Sequence, residues 1–366
     1  MSVRAHLGLA YWLGPWTHDE GVPPGVATED VSVPPSPSAS RPMRARIYRP
    51  TRRTAEGSLL MVQGLHYLGA DDPRMDRFAR IVAASGVVVV APFLPDFAVL
   101  RVVPALIDGT RRAFDYLEAL GDRPPGRPGV FSISYGSMPA LRLVADPAYA
   151  DRVGGLCTFG GYANFKDTIR FCLLGGDGLE HDPLNRPALF LNGMDYLDGV
   201  PDDREPLDTA WQRFIHETWG RPEMKEPARF EAVARRLAEE LPEEQRELYL
   251  MGCHAAPGGA EVGAAIVERA GHDWDYLDPR SHLSTLRCPV RVIHGRDDDV
   301  IPYTQAQKII DALPPSVDAQ LWLTGLYAHT GSAGLRHLIQ DLPVLYGEMR
   351  SMLGILLAIR GVATGF

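Results

Sequence analysis

No apolar run in this chain reaches the ~18 to 20 residues that a helix needs to cross a bilayer, and the nearest, Met352 to Ile359, is far shorter. Paired cysteines are missing too. Cys157, Cys172, Cys253 and Cys288 are scattered without C-x-x-C spacing, which argues against a zinc site or a disulfide framework and for reduced thiols in a cytoplasmic protein. No H-x-x-x-H or H-E-x-x-H spacing joins His254, His272 and His282, so no metal and no cofactor is expected. Positive charge is in short supply: 37 Lys and Arg against 46 Asp and Glu leave a net charge of -9. That balance disfavours nucleic acid or an anionic membrane as the main partner and favours neutral substrates over strongly anionic ones. The apolar stretch Leu7 to Trp16 follows Arg4 but is short and has no small-x-small cleavage site, so it reads as a packed N-terminal segment rather than a signal peptide.

What is present is a full core's worth of apolar residues, 45 % of 366, enough for one large domain with an insertion or for two modest domains. Glu29 to Pro34 and Met43 to Tyr48 alternate around the Pro/Ser-rich Pro35 to Pro42, the pattern of an antiparallel hairpin at a sheet edge. Ser58 to Gly64 and Val87 to Pro92 are continuous apolar runs, expected of strands covered on both faces. Between them, Asp72 and Pro73 supply a helix start and Gly86 a stop. Arg101 to Leu120 reads as the next helix. The alternation of strand and helix predicts a mostly parallel central sheet flanked by helices. It continues through Val153 to Phe159, fails from Gly160 to about Leu286, and resumes at Pro289 to Gly295 and Ala319 to Gly325.

In the failing region the signals are helical: Asp208 to Trp219, Pro227 to Leu241 and Pro242 to Met251, with breaks at Pro201 to Asp203 and Pro257 to Gly259. The expected organisation is a core made of 1–160 and 287–366, with 1–42 as extension and start of the hairpin, and a helical cap over 161–286. A helix-prone stretch from Leu335 to Ile359 with one apolar face should pack on the domain; a homodimer contact or weak membrane adherence is the other use of such a face.

The stretch Pro128 to Ser137 organises the chemistry. Its apolar half, Gly129 to Ile133, breaks at Ser134 into a helical segment, so the shape is strand, sharp turn, helix. Within the turn the residues read small-x-Ser-x-Gly, with Ser132 and Gly136 flanking Ser134. Small residues are required where the chain doubles back tightly, and the central serine is expected to be strained and exposed to solvent beside helix N-terminal amides. Acyl transfer by a serine further needs a base, a carboxylate to orient that base, and amide donors for the oxyanion. Downstream stand the acidic run Asp297 to Asp299 and then His329, just past the last predicted strand.

The elbow, the order nucleophile, acid, histidine, and the segment His294-Gly-Arg-Asp-Asp-Asp-Val-Ile-Pro302 together resemble the α/β-hydrolase superfamily over about 43 to 350. The resemblance implies an α/β-hydrolase fold and an esterase-like serine hydrolase in which Ser134 attacks, His329 shuttles the proton and Asp298 orients it. Asp298 is chosen because the family's acid lies three residues after the strand-end glycine, here Gly295; Asp297 and Asp299 stay open by one position. His294 reads as structural and His337 as the weaker alternative base. The resemblance assigns the oxyanion amides to Leu65 and Tyr135. Gln63 departs from the usual His-Gly at this loop, and His66 and Tyr67 either bind substrate or pack. The expected substrate is a carboxylic ester of a small to medium apolar molecule. An acyltransferase, a C-C bond hydrolase and a non-catalytic binding protein on the same fold are the alternatives.

Overall fold

The computed structural model describes residues 3–13, 21–37, 39–176, 178–179, 181–325, 327–328, 331–332 and 342–365. After helix α1 (Val3–Leu13), strands β1 (Val26–Val33) and β2 (Met43–Pro50) form the edge hairpin, with β3 (Gly57–Val62), α2 (Pro73–Ala84) and β4 (Val87–Pro92) behind it. Short α3 (Pro95–Ala98) and α4 (Ala105–Ala119) lead to β5 (Gly129–Ile133), α5 (Ser137–Val144) and β6 (Gly155–Phe159). Next come α6 (Phe165–Leu174), α7 (Arg186–Gly193), α8 (Glu205–Thr218), α9 (Pro227–Ala238), α10 (Glu243–Gly252) and α11 (Gly259–Ala270). The chain then closes with β7 (Val290–Gly295), α12 (Thr304–Asp311), β8 (Ala319–Thr324) and α13 (Leu342–Thr364).

Eight strands form one sheet in the order β1-β2-β4-β3-β5-β6-β7-β8. β1 and β2 are antiparallel, β2 is antiparallel to β4, and every pairing from β4 to β8 is parallel. β3 and β4 are buried along their whole length, as strands with helices on both faces must be. Asp72 accepts the Arg74 N–H, Pro73 opens α2, and Gly86 follows it at φ 98°, so that helix is bounded by the signals its sequence carries.

One helix starts later than expected. Arg101 to Val103 is a loop and α4 begins at Ala105. The guanidinium of Arg101 reaches out to the Asp208 carboxylate on α8, 2.6 Å away, and to the Leu191 carbonyl, which draws the preceding residues out of the helix. Beside it Leu100 holds φ 61°. The Asn192 amide of α7 donates to the Leu100 and Ala188 carbonyls, 2.8 Å each, and accepts from Val102 N–H at 2.8 Å.

α13 packs under the sheet rather than standing free. Ile355, Ala358, Ile359, Val362 and Ala363 join the buried cluster beneath β3, β4 and β5. Close approach requires bare backbone: a Cβ on Gly129 would lie 2.1 Å from the Val362 carbonyl oxygen. Buried Glu348 accepts from Thr324 Oγ1 at 2.7 Å and Gly325 N–H at 2.9 Å, which fixes the end of β8. Among the described residues no helix is long and apolar enough to cross a membrane, and all four cysteines are buried and unpaired.

Candidate active site

Parallel strands bring their C-terminal ends to one edge of the sheet, and in such sheets ligands bind beyond that edge. β5 ends in Ser134, which sits at φ 52°, the left-handed region that costs a non-glycine residue about 1 kcal/mol or more. The turn persists because its surroundings fix it. A Cβ on Gly136 would lie 2.3 Å from the Gln63 carbonyl oxygen, and one on Gly64 would lie 3.0 Å from Ser134 Cβ. The loop after β3 is therefore seated directly on the serine turn. This contact brings Leu65 alongside, and its N–H has no protein acceptor among the described residues. Tyr135 opens the first turn after the serine, where helix geometry leaves amides without intrahelical partners.

Ser134 was expected at the surface; it is only 6 % exposed. Leu65 and Tyr135 line an apolar cavity of about 40 Å³ together with Phe165 and Leu173 of α6, Leu189 of α7, Trp219 and Trp274. Burial holds the Tyr135 phenol far above its ordinary range and pushes the Cys172 thiol, also on this cavity, up to about 12, so both stay neutral.

β7 ends one strand beyond, after β6, and carries the acidic run. The three aspartates occupy different environments. Asp298 is 1 % exposed, and its Oδ1 accepts from Val300 N–H at 2.9 Å and Ile301 N–H at 2.8 Å. Its Oδ2 lies 3.3 Å from Nε2 of fully buried His294, and that nitrogen is 2.8 Å from the Ile301 carbonyl. His294 thus fastens the loop that holds Asp298. Asp299 faces Lys225, which also lies 2.9 Å from Asp182, and Asp297 is exposed. His329 and His337 lie outside the described residues, in the stretch that follows Thr324 at the end of β8.

His66 and Tyr67 sit on the same loop as Leu65 but do not line the apolar cavity. Their rings stack at 4.5 Å, Tyr67 packs on His216 at 4.0 Å and donates to the His216 carbonyl at 3.3 Å, and His66 Nε2 lies 3.4 Å from Asp72 Oδ2. Burial, opposed by Asp72, lowers His66 to about 4. Gln63 is 3 % exposed, and neither polar atom of its side chain has a partner among the described residues. No group of three or more metal-ligating side chains occurs among the described residues.

The sequence reading missed α6, α7 and α11, of which α6 and α7 supply much of the cavity wall. α7 was announced by Asp182-Pro183 and Arg186-Pro187, prolines in the first-turn position, and with it came Asn185 and Arg186, both on the cavity.

No family model and no curated protein matches the chain. Among solved structures it is similar to the Pyrococcus horikoshii acylaminoacyl peptidase, with 11 % identity and a TM-score of 0.51, over 93 % of this chain and 43 % of that one. It is also similar to a Pyrococcus furiosus esterase, with 13 % identity and a TM-score of 0.47, over 90 % of each. The chain thus spans less than half the length of the peptidase it matches. Its strand order, with an antiparallel hairpin on a parallel sheet and a strained serine where β5 meets α5, agrees with the first of these likenesses, and the chain has the α/β-hydrolase fold.

Proposed function

We propose that the chain is a serine hydrolase that cleaves a carboxylic ester through Ser134, His329 and Asp298. The observation that carries this reading is Ser134 at φ 52° with the Gly64–Leu65 loop seated against it. Strain of that kind persists at functional turns because it aims one side chain. In the proposed sequence Ser134 Oγ attacks the ester carbonyl as His329 takes its proton. The Leu65 and Tyr135 N–H groups hold the oxyanion, and His329 returns the proton to the departing alkoxide. Water then adds to the acyl-enzyme with His329 as base, releasing the acid and restoring Ser134. Asp298, held by two amides, orients His329. The helices between β6 and β7, 161–286, act as a cap that excludes water and selects the acyl group.

The esterase and peptidase names borne by the structural neighbours fit hydrolysis at a carbonyl. An ester with an apolar acyl group suits the largely apolar cavity walls of Leu65, Leu173, Leu189, Trp219 and Trp274. The test is a fluorophosphonate probe with mass mapping of the adduct, followed by an acyl-chain-length panel of chromogenic esters. Label on Ser134 and turnover lost in Ser134→Ala are expected. Folded protein that takes no label there sinks the reading.

A further inference from the structure

Arg186 is 5 % exposed and stands at the start of α7, on the wall of the cavity that Leu65 and Tyr135 also line. A guanidinium taken out of water needs a carboxylate or a full set of acceptors. The other arginines buried this deeply have one: Arg291 pairs with Asp318 at 2.6 Å, and Arg360 pairs with Glu56. Arg186 has a single long bond, Nη2 to the Leu173 carbonyl at 3.4 Å, and its Nε has no partner among the described residues. Burial lowers its pKa, and Glu261, the acid whose charge opposes that shift, is exposed and makes no ion pair with it.

The neighbouring groups add to the imbalance. Asn185, also on the cavity wall, has a buried Nδ2 without an acceptor. Arg186 Nη1 lies 2.7 Å from where a Cβ on Gly259 would stand, at the first residue of the 12-residue helix α11, whose cap Gly258 has no side chain to offer. Guanidinium, amide donor and the positive end of a helix dipole thus stand on this side of the cavity with no anion paired to them among the described residues.

We infer that this cavity takes a substrate bearing a carboxylate, which Arg186 and Asn185 bind while the apolar walls enclose the chain that links it to the ester. One guanidinium fork matches one planar carboxylate through two parallel N–H···O bonds. The inference rests on the hydrolase reading and narrows its substrate from a neutral ester to a carboxylate-bearing one, against the protein's overall acidity.

The experiment compares kcat/KM of the full chain for matched pairs: 4-nitrophenyl hydrogen glutarate against 4-nitrophenyl valerate for a carboxylate on the acyl side, and 4-carboxyphenyl against 4-carbamoylphenyl butyrate for one on the alcohol side. In one of the pairs the anionic ester is expected to be preferred by about 10-fold or more, the effect of a charged hydrogen bond. That ratio should fall to near one in Arg186→Met, through KM, and recover in part in Arg186→Lys. Glutarate should also raise the melting temperature of the wild type and not of Arg186→Met. Absence of preference in both pairs for the wild type, or a preference that survives Arg186→Met, overturns the carboxylate site. If neutral esters are turned over and Ser134 is labelled, the hydrolase reading outlives that result. If nothing is labelled or turned over, the hydrolase reading falls, and the glutarate melting shift still decides the site.

Discussion

Gly136 is seated against the Gln63 carbonyl so closely that a single added methyl would stand 2.3 Å from its oxygen. The serine turn and the loop carrying Leu65 are thus held together by bare backbone contact, and the spacing of the two proposed oxyanion donors depends on it. Gly136→Ala should force the two segments apart, at about 1 to 3 kcal/mol of stability. Removing one such donor lowers kcat about 100-fold or more, so steady-state kinetics on the folded variant should show a fall of that order. Unchanged kcat would mean that the loop does not serve the oxyanion.

The acidic run separates into three roles that substitution distinguishes. Asp298→Asn should lower kcat by about 10⁴, the scale seen when a triad acid loses its charge, with little change in melting temperature. Asp299→Asn removes one of the carboxylates facing Lys225 and should act on stability, by about 1 to 3 kcal/mol, with kcat nearly intact. Asp297→Asn, at an exposed site, should do neither. Parallel kinetics and urea melts on the three variants check the assignment, and a larger kcat loss in Asp299→Asn than in Asp298→Asn would transfer the triad role.

Asn192 satisfies three backbone groups of two segments at once. Asn192→Ala leaves Val102 N–H and the Leu100 carbonyl without it, which should destabilise the fold by about 1 to 3 kcal/mol. Val102 also lines the cavity, so KM should rise more than kcat falls. Wild-type KM in a variant with a lowered melting temperature would confine Asn192 to a purely structural part.

His66 gives the stability a pH dependence of known sign. Burial holds it at about 4, below the ~6.5 of the unfolded chain. The neutral form is the one the fold accommodates, so its contribution is complete above about pH 6.5 and is lost as pH falls from there toward 4. The loss is at most about 3 kcal/mol. His254 is lowered to about 4 as well, by burial first and then by Arg186 and His181, and adds in the same window. Urea midpoints at pH 7.5, 6 and 5 should fall in order, with a shallower fall in His66→Gln. An unchanged slope in that variant would assign the pH response to other groups.

The parallel part of the sheet was readable because β3 to β7 are short, mostly apolar runs with turn signals nearby, and the edge hairpin because β1 and β2 alternate around a Pro/Ser-rich turn. Ser134 was readable as a turn but not as a buried one, since burial is set by packing that a local pattern does not carry. Gly258-Gly259 reads locally as a break, yet Gly258 at φ 86° opens α11. A glycine stop and a glycine start carry the same letters. Arg186 was the least visible. An arginine between Asn185 and Pro187 looks like a solvated loop, and only tertiary packing reveals that it is buried with no ion-pair partner among the described residues.

The glycines under β5 have one more implication. Gly57 begins β3 and Gly129 begins β5, and both rest on the carbonyls of α13, at Ala363 and Val362. The two strands that lead to Gln63 and Ser134 are therefore sealed by a helix from the far end of the chain. Folding must bring these distant segments together before the serine turn has a floor, a closure that non-local topology makes slow. Recovery of fluorophosphonate labelling after dilution from denaturant should accordingly be among the last events of refolding.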